Sequence, residues 1–245
     1  QHVVHDEGSF WRYGDGHWQA ILFPELWQAV FKFDGARFRS PKGEPSSVKV
    51  GKGRVQSVLA CMAALLHQED YFARAAVGIN CRSGFIQFSE NGTPSLVPHS
   101  PEHRHRHVLP GRWPRVFARE EVQQSLLRRF LNGCFKDDRD GYLKSKLLAE
   151  VAGAAAVGCA TRIIEPRAVI LEGKSAENGK SQILALLRGL LPTGAVSNIS
   201  PARFSDETYL CKLSGSLLNA PDELAGSDAI ASEIFKQVVT GDPVM

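Results

Sequence analysis

The residues best suited to chemistry are Asn178-Gly179-Lys180-Ser181, which end a polar loop. A short apolar run over 168–171 precedes the loop, and apolar residues at helical spacing follow it. This pattern predicts a buried parallel strand, a loop, and a helix whose first turn contains Lys180 and Ser181. Unpaired N–H groups of such a loop and helix start can surround a polyphosphate. Lys180 would then reach the β- and γ-phosphates, and the Ser181 hydroxyl would complete a Mg²⁺ shell.

The loop departs at one position from the usual phosphate-binding pattern, which places a first glycine five residues before the second. That position is Lys174, and Gly173 lies one residue earlier. Either the loop is one residue longer, or Lys174 replaces the glycine. We therefore predict nucleotide contacts along the whole loop: Gly173, Lys174, Ser175, Ala176, Glu177, Asn178, Gly179, Lys180 and Ser181.

A nucleotide triphosphatase also needs carboxylates near the metal and the attacking water. Asp222 and Glu223 follow a short apolar stretch at 217–220, which predicts a strand that ends beside them. We predict that Asp222 joins Ser181 as a Mg²⁺ ligand and that Glu223 orients or deprotonates the water. The candidate catalytic residues are therefore Lys180, Asp222 and Glu223, with ATP and Mg²⁺ as cofactors.

Composition favours an ordinary globular protein. The 245 residues are 43% hydrophobic and 22% charged, and the net charge of +3 is too small to indicate nucleic-acid binding by itself. Five widely spaced cysteines without a CxxC motif disfavour disulfides and a zinc site. The sequence has no apolar run of ~20 residues and no signal peptide. We expect a soluble cytoplasmic protein that does not associate with a membrane.

Three segments are expected to position these residues. Residues 1–115 predict a small α+β domain, with an aromatic hairpin over 10–21, a helix over 54–67 and strands over 76–81, 84–89 and 95–97. Residues 116–166 predict a helical collar or linker, including a helix over 141–162. Residues 167–245 predict the first part of an α/β P-loop core, with a helix over 227–240.

Two other segments have residues that suggest binding. His99, His103, His105 and His107 could suggest a metal site, but no second ligand cluster accompanies them, and arginines lie between them. A basic-aromatic series follows, formed by Arg104, Arg106, Arg112, Trp113, Arg115, Phe117 and Arg119. It fits either contact with phosphates and bases or a solvated connection between domains, and we favour the connection.

Three motifs occur in an order that resembles a known family. NGKS at 178–181, KLSGSLLNAPDEL at 212–224 and EIFKQVVTGDPV at 233–244 resemble the nucleotide-binding motifs of superfamily 3 helicases and the start of their hairpin motif. The segment 84–110 is similar to the domain that precedes the helicase in phage and plasmid primase-helicases of the poxvirus type. The resemblance covers most of the chain from Gly78 onward.

The resemblance implies an AAA+-like ATPase that forms a homo-hexamer, encircles single-stranded or forked DNA and works with a primase domain or partner in a bacterial host cytoplasm. It also implies a polar sensor and an arginine finger, which the sequence does not reach before Met245. We therefore expect a fragment, incomplete at the C-terminal end of its core, that binds nucleotide but hydrolyses it poorly. Two alternatives use the same loop: a DNA loader that uses ATP only to assemble a ring, and a small phosphotransferase.

Overall fold

The computed structural model describes residues 2–113, 119–158, 165–173, 178–222 and 232–242. It shows a mixed α/β protein with small sheets. The chain divides into two compact units. Unit 1 contains residues 1–76 and 99–106, and unit 2 contains residues 77–98 and 107–245. The strands predicted over 76–97 therefore belong with the C-terminal part of the chain, whereas we had placed them in an N-terminal domain over 1–115.

Unit 1 begins with a three-stranded antiparallel sheet. Its strands are β1 (Val3–Asp6), β2 (Ser9–Gly14) and β3 (His17–Ala20). The predicted aromatic hairpin is the β2–β3 pair, in which Tyr13 lies opposite Trp18. Its two-residue turn, Asp15-Gly16, has positive φ at both residues, which matches the right-handed twist of the paired strands.

The core of unit 1 is aromatic. Trp18 is 2% exposed and packs with Tyr71 and Phe72. The Trp18 indole N–H donates to the Pro101 carbonyl at 3.0 Å, and the buried Asp6 carboxylate accepts from the Phe72 N–H at 3.3 Å. These bonds satisfy polar groups that would otherwise be costly to bury.

The rest of unit 1 consists of two helices and a second hairpin. The elements are α1 (Phe23–Phe31), β4 (Arg37–Arg39), β5 (Pro45–Ser47) and α2 (Lys52–Leu66). Helix α2 is the helix predicted over 54–67, and it buries Val55 and Leu59. No residue of α1, β4 or β5 is buried.

Unit 2 contains a second three-stranded antiparallel sheet and, in the described ranges, most of the helices. The predicted strands are confirmed as β6 (Gly78–Cys81), β7 (Gly84–Phe88) and β8 (Pro94–Val97). They are followed by α3 (Arg119–Gln124), α4 (Leu126–Cys134) and α5 (Gly141–Val157). Gly158, which has a φ of +70°, caps the C-terminal end of α5. Residues 159–162 of the predicted helix lie outside the described residues.

The C-terminal part of unit 2 holds the candidate site. Its elements are α6 (Lys180–Gly189), β9 (Val196–Ser197), α7 (Glu207–Leu210), β10 (Leu218–Asn219) and α8 (Glu233–Thr240). Strands β9 and β10 are parallel, as expected for two strands joined by a crossover. Their core includes Leu191 and Ala195, which cluster with Cys81, Ile86 and Ala155.

The prediction of a buried strand over 168–171 is wrong. No strand is assigned there, and Val169 and Ile170 are 41% and 52% exposed. An apolar run becomes a buried strand only when a neighbouring strand completes its hydrogen bonds and another layer covers it. Within the described residues, β9 and β10 pair only with each other.

The helices of the described ranges include none that is both long and apolar enough to cross a membrane.

Candidate phosphate-binding site

Helix α6 begins where the sequence predicts. Lys180 and Ser181 occupy its first turn, and Gly179 is the N-cap with a φ of +84°. A Cβ at Gly179 would lie 2.5 Å from the Cys134 sulfur, so both backbone conformation and space require glycine here. Gly179 has no side chain to cap the helix, and the N–H groups of the first turn have no partner within the helix itself. This helix start can therefore receive an anion.

The Lys180 ammonium lies at the junction of the two ends of the loop. Its Nζ donates to Asn178 Oδ1 at 2.8 Å. A Cβ built on Gly173 would lie 3.0 Å from the same Nζ and would overlap the Asn178 amide. The contacts therefore make neighbours of Lys180, Asn178 and Gly173. In sequence, four residues, 174–177, lie between Gly173 and Asn178.

This close approach favours one explanation of the unusual spacing. Gly173 is the residue at the start of the loop where a side chain would collide with the amide and the ammonium. A loop that begins at Gly173, and is one residue longer than usual, fits these contacts. Lys174, Ser175, Ala176 and Glu177 lie outside the described residues.

Asp222 is held by residues that sequence analysis did not select. Its Oδ1 lies 2.9 Å from Arg188 Nη2, and its Oδ2 accepts from Asn198 Nδ2 at 3.4 Å. Arg188 also donates to the Ala220 carbonyl at the end of β10. The Asp222 side chain is 59% exposed. An arginine in the last turn of α6 therefore fixes the position of the predicted metal ligand.

The structure does not bring Asp222 to Ser181. Arg188 follows Ser181 by seven residues, which corresponds to about 10 Å along a helix. In the part of the chain that the structure describes, no hydrogen bond or ion pair joins Asp222 to Lys180 or Ser181. Glu223 lies outside the described residues. Among the described residues, Lys180 and Ser181 on one side and Asp222 on the other therefore form two separate groups.

Asn219 is a second residue that sequence analysis missed. Its side chain accepts from Ser197 Oγ and the Ile199 N–H, and it donates to the Ile199 carbonyl at 2.9 Å. These bonds fix the end of β10 to the chain that follows β9. The sequence signal for this role is the position of Asn219, a polar residue within the apolar stretch at 217–220.

Two arginines of the basic-aromatic series have a structural role in unit 1. The Arg106 guanidinium lies 4.0 Å from the Phe72 ring centroid and is paired with Glu7, and its side chain is 11% exposed. Arg104 stacks 4.6 Å from the Tyr71 ring centroid. The Arg106 guanidinium is therefore largely buried between a ring and an acidic partner, and Arg104 is partly buried against a second ring. Arg115 and Phe117, and the side chain of Arg119, lie outside the described residues.

The histidines of the same segment do not converge. His105 Nε2 lies 2.8 Å from the Ala76 carbonyl in unit 1, and His107 Nε2 lies 2.8 Å from the Gly215 carbonyl in unit 2. Burial and the neighbouring His99 lower the pKa of His103. Across the described ranges, no group of three or more histidine, cysteine or acidic side chains is arranged to hold a metal ion.

Comparison with known proteins gives no family for the chain. No protein-family model matches the sequence, and no curated protein matches it significantly. The functional assignment therefore rests on the order of the motifs and on the contacts around Lys180.

Replacing Gly173 with alanine should weaken binding of an ATP analogue by at least about tenfold. The added methyl group would force the Asn178 amide and the Lys180 ammonium to shift. A shift of the ammonium away from the proposed position of the phosphates can remove one charge-assisted hydrogen bond to them. Gly189→Ala is the matched control, because a Cβ there meets nothing within 4 Å. Titration with a fluorescent ATP analogue measures both affinities, and equal affinities would contradict the role of Gly173.

Proposed function

We propose that the protein binds Mg²⁺-ATP at the loop over 173–181 and is the ATPase part of a superfamily 3 DNA helicase. The observation that carries this proposal is the position of the Lys180 ammonium beside Gly173 at the start of α6. A flexible cation, a glycine that admits close approach and a helix N-terminus are the parts that bind a polyphosphate.

Lys180 is positioned to exchange one partner for another. Its ammonium donates to the Asn178 side chain. We propose that the β- and γ-phosphates replace that amide oxygen, because a charged acceptor forms a stronger hydrogen bond with an ammonium than a neutral one does. The N–H groups of the first turn of α6 would bind the same phosphates.

The residues offered to Mg²⁺ are oxygen donors, which this ion prefers. The Ser181 hydroxyl is exposed on the first turn of α6 and fits a metal bound to the phosphates. Asp222 carries the right chemistry but is paired with Arg188. We propose that it reaches the metal after leaving this pair. Bound Mg²⁺ would neutralise charge that develops on the phosphates.

The order of the three motifs along the sequence supports an ATP-driven motor protein rather than a protein that only binds nucleotide. In the proposed reaction, Glu223 accepts a proton from a water molecule as the water oxygen attacks the γ-phosphorus, and the bond to ADP breaks. The products are ADP and phosphate. We propose that hydrolysis in a homo-hexamer drives translocation on single-stranded DNA, with a primase domain or partner, in a bacterial host cytoplasm.

A DNA loader without unwinding activity is the second candidate. The observation that favours it is the Arg188–Asp222 ion pair, which holds the predicted Mg²⁺ ligand at the end of α6 opposite Ser181. A site in which Asp222 stays with Arg188 would bind ATP and hydrolyse it poorly. Such a protein would use ATP to assemble a ring on DNA.

Strand displacement on a forked duplex, measured with the full-length protein, distinguishes the two functions. A helicase should displace the labelled strand only with Mg²⁺ and ATP, and Glu223→Gln should bind ATP but displace no strand. ATP-dependent assembly on the fork without displacement would support the loader. Displacement that survives Glu223→Gln or omission of ATP would overturn the motor proposal.

A further inference from the structure

Unit 1 contains a concentrated basic segment that the proposed function does not use. Residues 32–54 have a formal charge of +5, whereas the whole chain has +3, so the other residues together are net negative. The cations are Lys32, Arg37, Arg39, Lys42, Lys49, Lys52 and Arg54. Such a local excess attracts a polyanion even when the net charge of the protein is small.

The β4–β5 hairpin presents these charges to solvent. Arg37 and Arg39 alternate with Phe38 along β4, so the two arginines lie on one face and the phenylalanine on the other. All three are exposed. Their partners on β5 are also exposed: Arg37 pairs with Ser47, Phe38 with Ser46 and Arg39 with Pro45. The hairpin therefore contributes no buried residue to the core of unit 1.

The cations of the hairpin have no acidic partner in the structure. Among the described residues, no ion pair involves Arg37, Arg39 or Lys42. Asp34, one of two acidic residues in the segment, instead accepts from the Val50 N–H at 2.8 Å. Within the described ranges, ion pairs therefore do not neutralise the positive charge of the hairpin.

Exposed aromatic rings accompany the cations. Phe31, Phe33 and Phe38 are 43%, 65% and 48% exposed. Lys32 lies between the first two in sequence, and two arginines flank the third. Exposed rings interleaved with cations are features that bind single-stranded nucleic acid, because bases stack on the rings while the cations contact phosphates. In the described residues β4 pairs only with β5, so its outer edge is open. A single strand along this edge can place phosphates against the arginines on one face and a base against Phe38 on the other.

We propose that the β4–β5 hairpin and Phe31-Lys32-Phe33 form a docking surface for single-stranded DNA, which we call the wing surface. It uses none of the residues of the ATP-binding loop, and it needs no nucleotide. A lipid surface fits less well, because the neighbouring helix α1, with the sequence FPELWQAVF, has no lysine or arginine, whereas membrane-surface helices are rich in both.

The test is binding of a fluorescein-labelled oligothymidylate to the full chain without nucleotide. The double variant Arg37→Glu/Arg39→Glu should bind at least about tenfold more weakly, and the slope of log affinity against log salt should fall by about 1.4. Phe38→Ala should weaken binding by at least about fivefold through lost stacking. The matched control is Lys136→Glu/Arg139→Glu, which changes the charge equally at two exposed residues beside the acidic turn of unit 2.

The outcomes separate this proposal from the ATP-binding proposal. Lys180→Ala should leave oligonucleotide binding unchanged, and the Arg37→Glu/Arg39→Glu variant should retain ATP binding. Should charge reversal unfold the hairpin, Arg37→Gln/Arg39→Gln gives a milder loss in the same direction. Equal losses in the wing and control double variants would overturn the wing surface. The wing surface would also be overturned if the Arg37→Glu/Arg39→Glu variant kept its oligonucleotide binding but lost binding to phosphatidylglycerol vesicles.

Discussion

Replacing Lys180 with alanine is expected to weaken binding of an ATP analogue by about 100-fold. In the proposed function the ammonium exchanges its Asn178 partner for charge-assisted hydrogen bonds to two phosphates, and each such bond contributes roughly 1.5 kcal/mol or more. Two of these bonds amount to about 3 kcal/mol, which is about 100-fold in affinity. Equilibrium titration with a fluorescent ATP analogue and Mg²⁺ measures the loss.

The control for this experiment is Lys236→Ala, which removes an exposed lysine from α8. It should bind the analogue like the parent protein. Circular dichroism should show equal helix content for both variants, because truncation of Lys180 leaves the backbone of α6 intact. An unchanged affinity in Lys180→Ala would mean that the loop does not bind the phosphates.

Replacing Arg188 with alanine should destabilise the C-terminal part of unit 2 by about 2 kcal/mol. The guanidinium joins the last turn of α6 to the Ala220 carbonyl and the Asp222 carboxylate. Most of the effect should come from the lost bond to the carbonyl, since the Asp222 side chain is largely exposed and solvent screens its ion pair.

Hydrogen exchange measures this loss where it occurs. Amides of α6 and β10 should exchange about 30-fold faster in Arg188→Ala, which corresponds to about 2 kcal/mol of local stability. Amides of β1–β3 in unit 1 serve as an internal reference and should be unchanged. Arg129→Ala, an exposed arginine of α4, should alter neither region. Equal exchange in the parent and Arg188→Ala proteins would show that the arginine does not stabilise this part.

Local patterns were sufficient to predict several elements. The Asp15-Gly16 turn between aromatic strands predicts a hairpin because both residues tolerate positive φ. Leucines at helical spacing after Lys180 predict α6, since that spacing places them on one side of a helix. In these cases, the residues that determine the conformation are close together in sequence.

Elements that depend on distant partners were harder to predict. The apolar run at 168–171 was interpreted as a buried strand, but its conformation depends on whether another strand pairs with it. The partner of Asp222 is Arg188, 34 residues earlier, and no local pattern identifies that pair.

The two basic segments show the same difference. Arg104 and Arg106 lie in the series that the sequence indicated as basic and aromatic, yet their guanidinium groups stack on Tyr71 and Phe72, more than 30 residues away. The exposed cations at Arg37 and Arg39 were not selected. Exposure depends on which rings the fold brings to each arginine, and composition alone does not give it.

The central claim is that Lys180 binds the phosphates of ATP. A structure of the protein with Mg²⁺ and a non-hydrolysable ATP analogue tests this claim most directly. The account predicts Lys180 Nζ about 2.8 Å from an oxygen of the β- or γ-phosphate, with the Asn178 contact broken. An analogue bound elsewhere, with Lys180 still donating to Asn178, would contradict it.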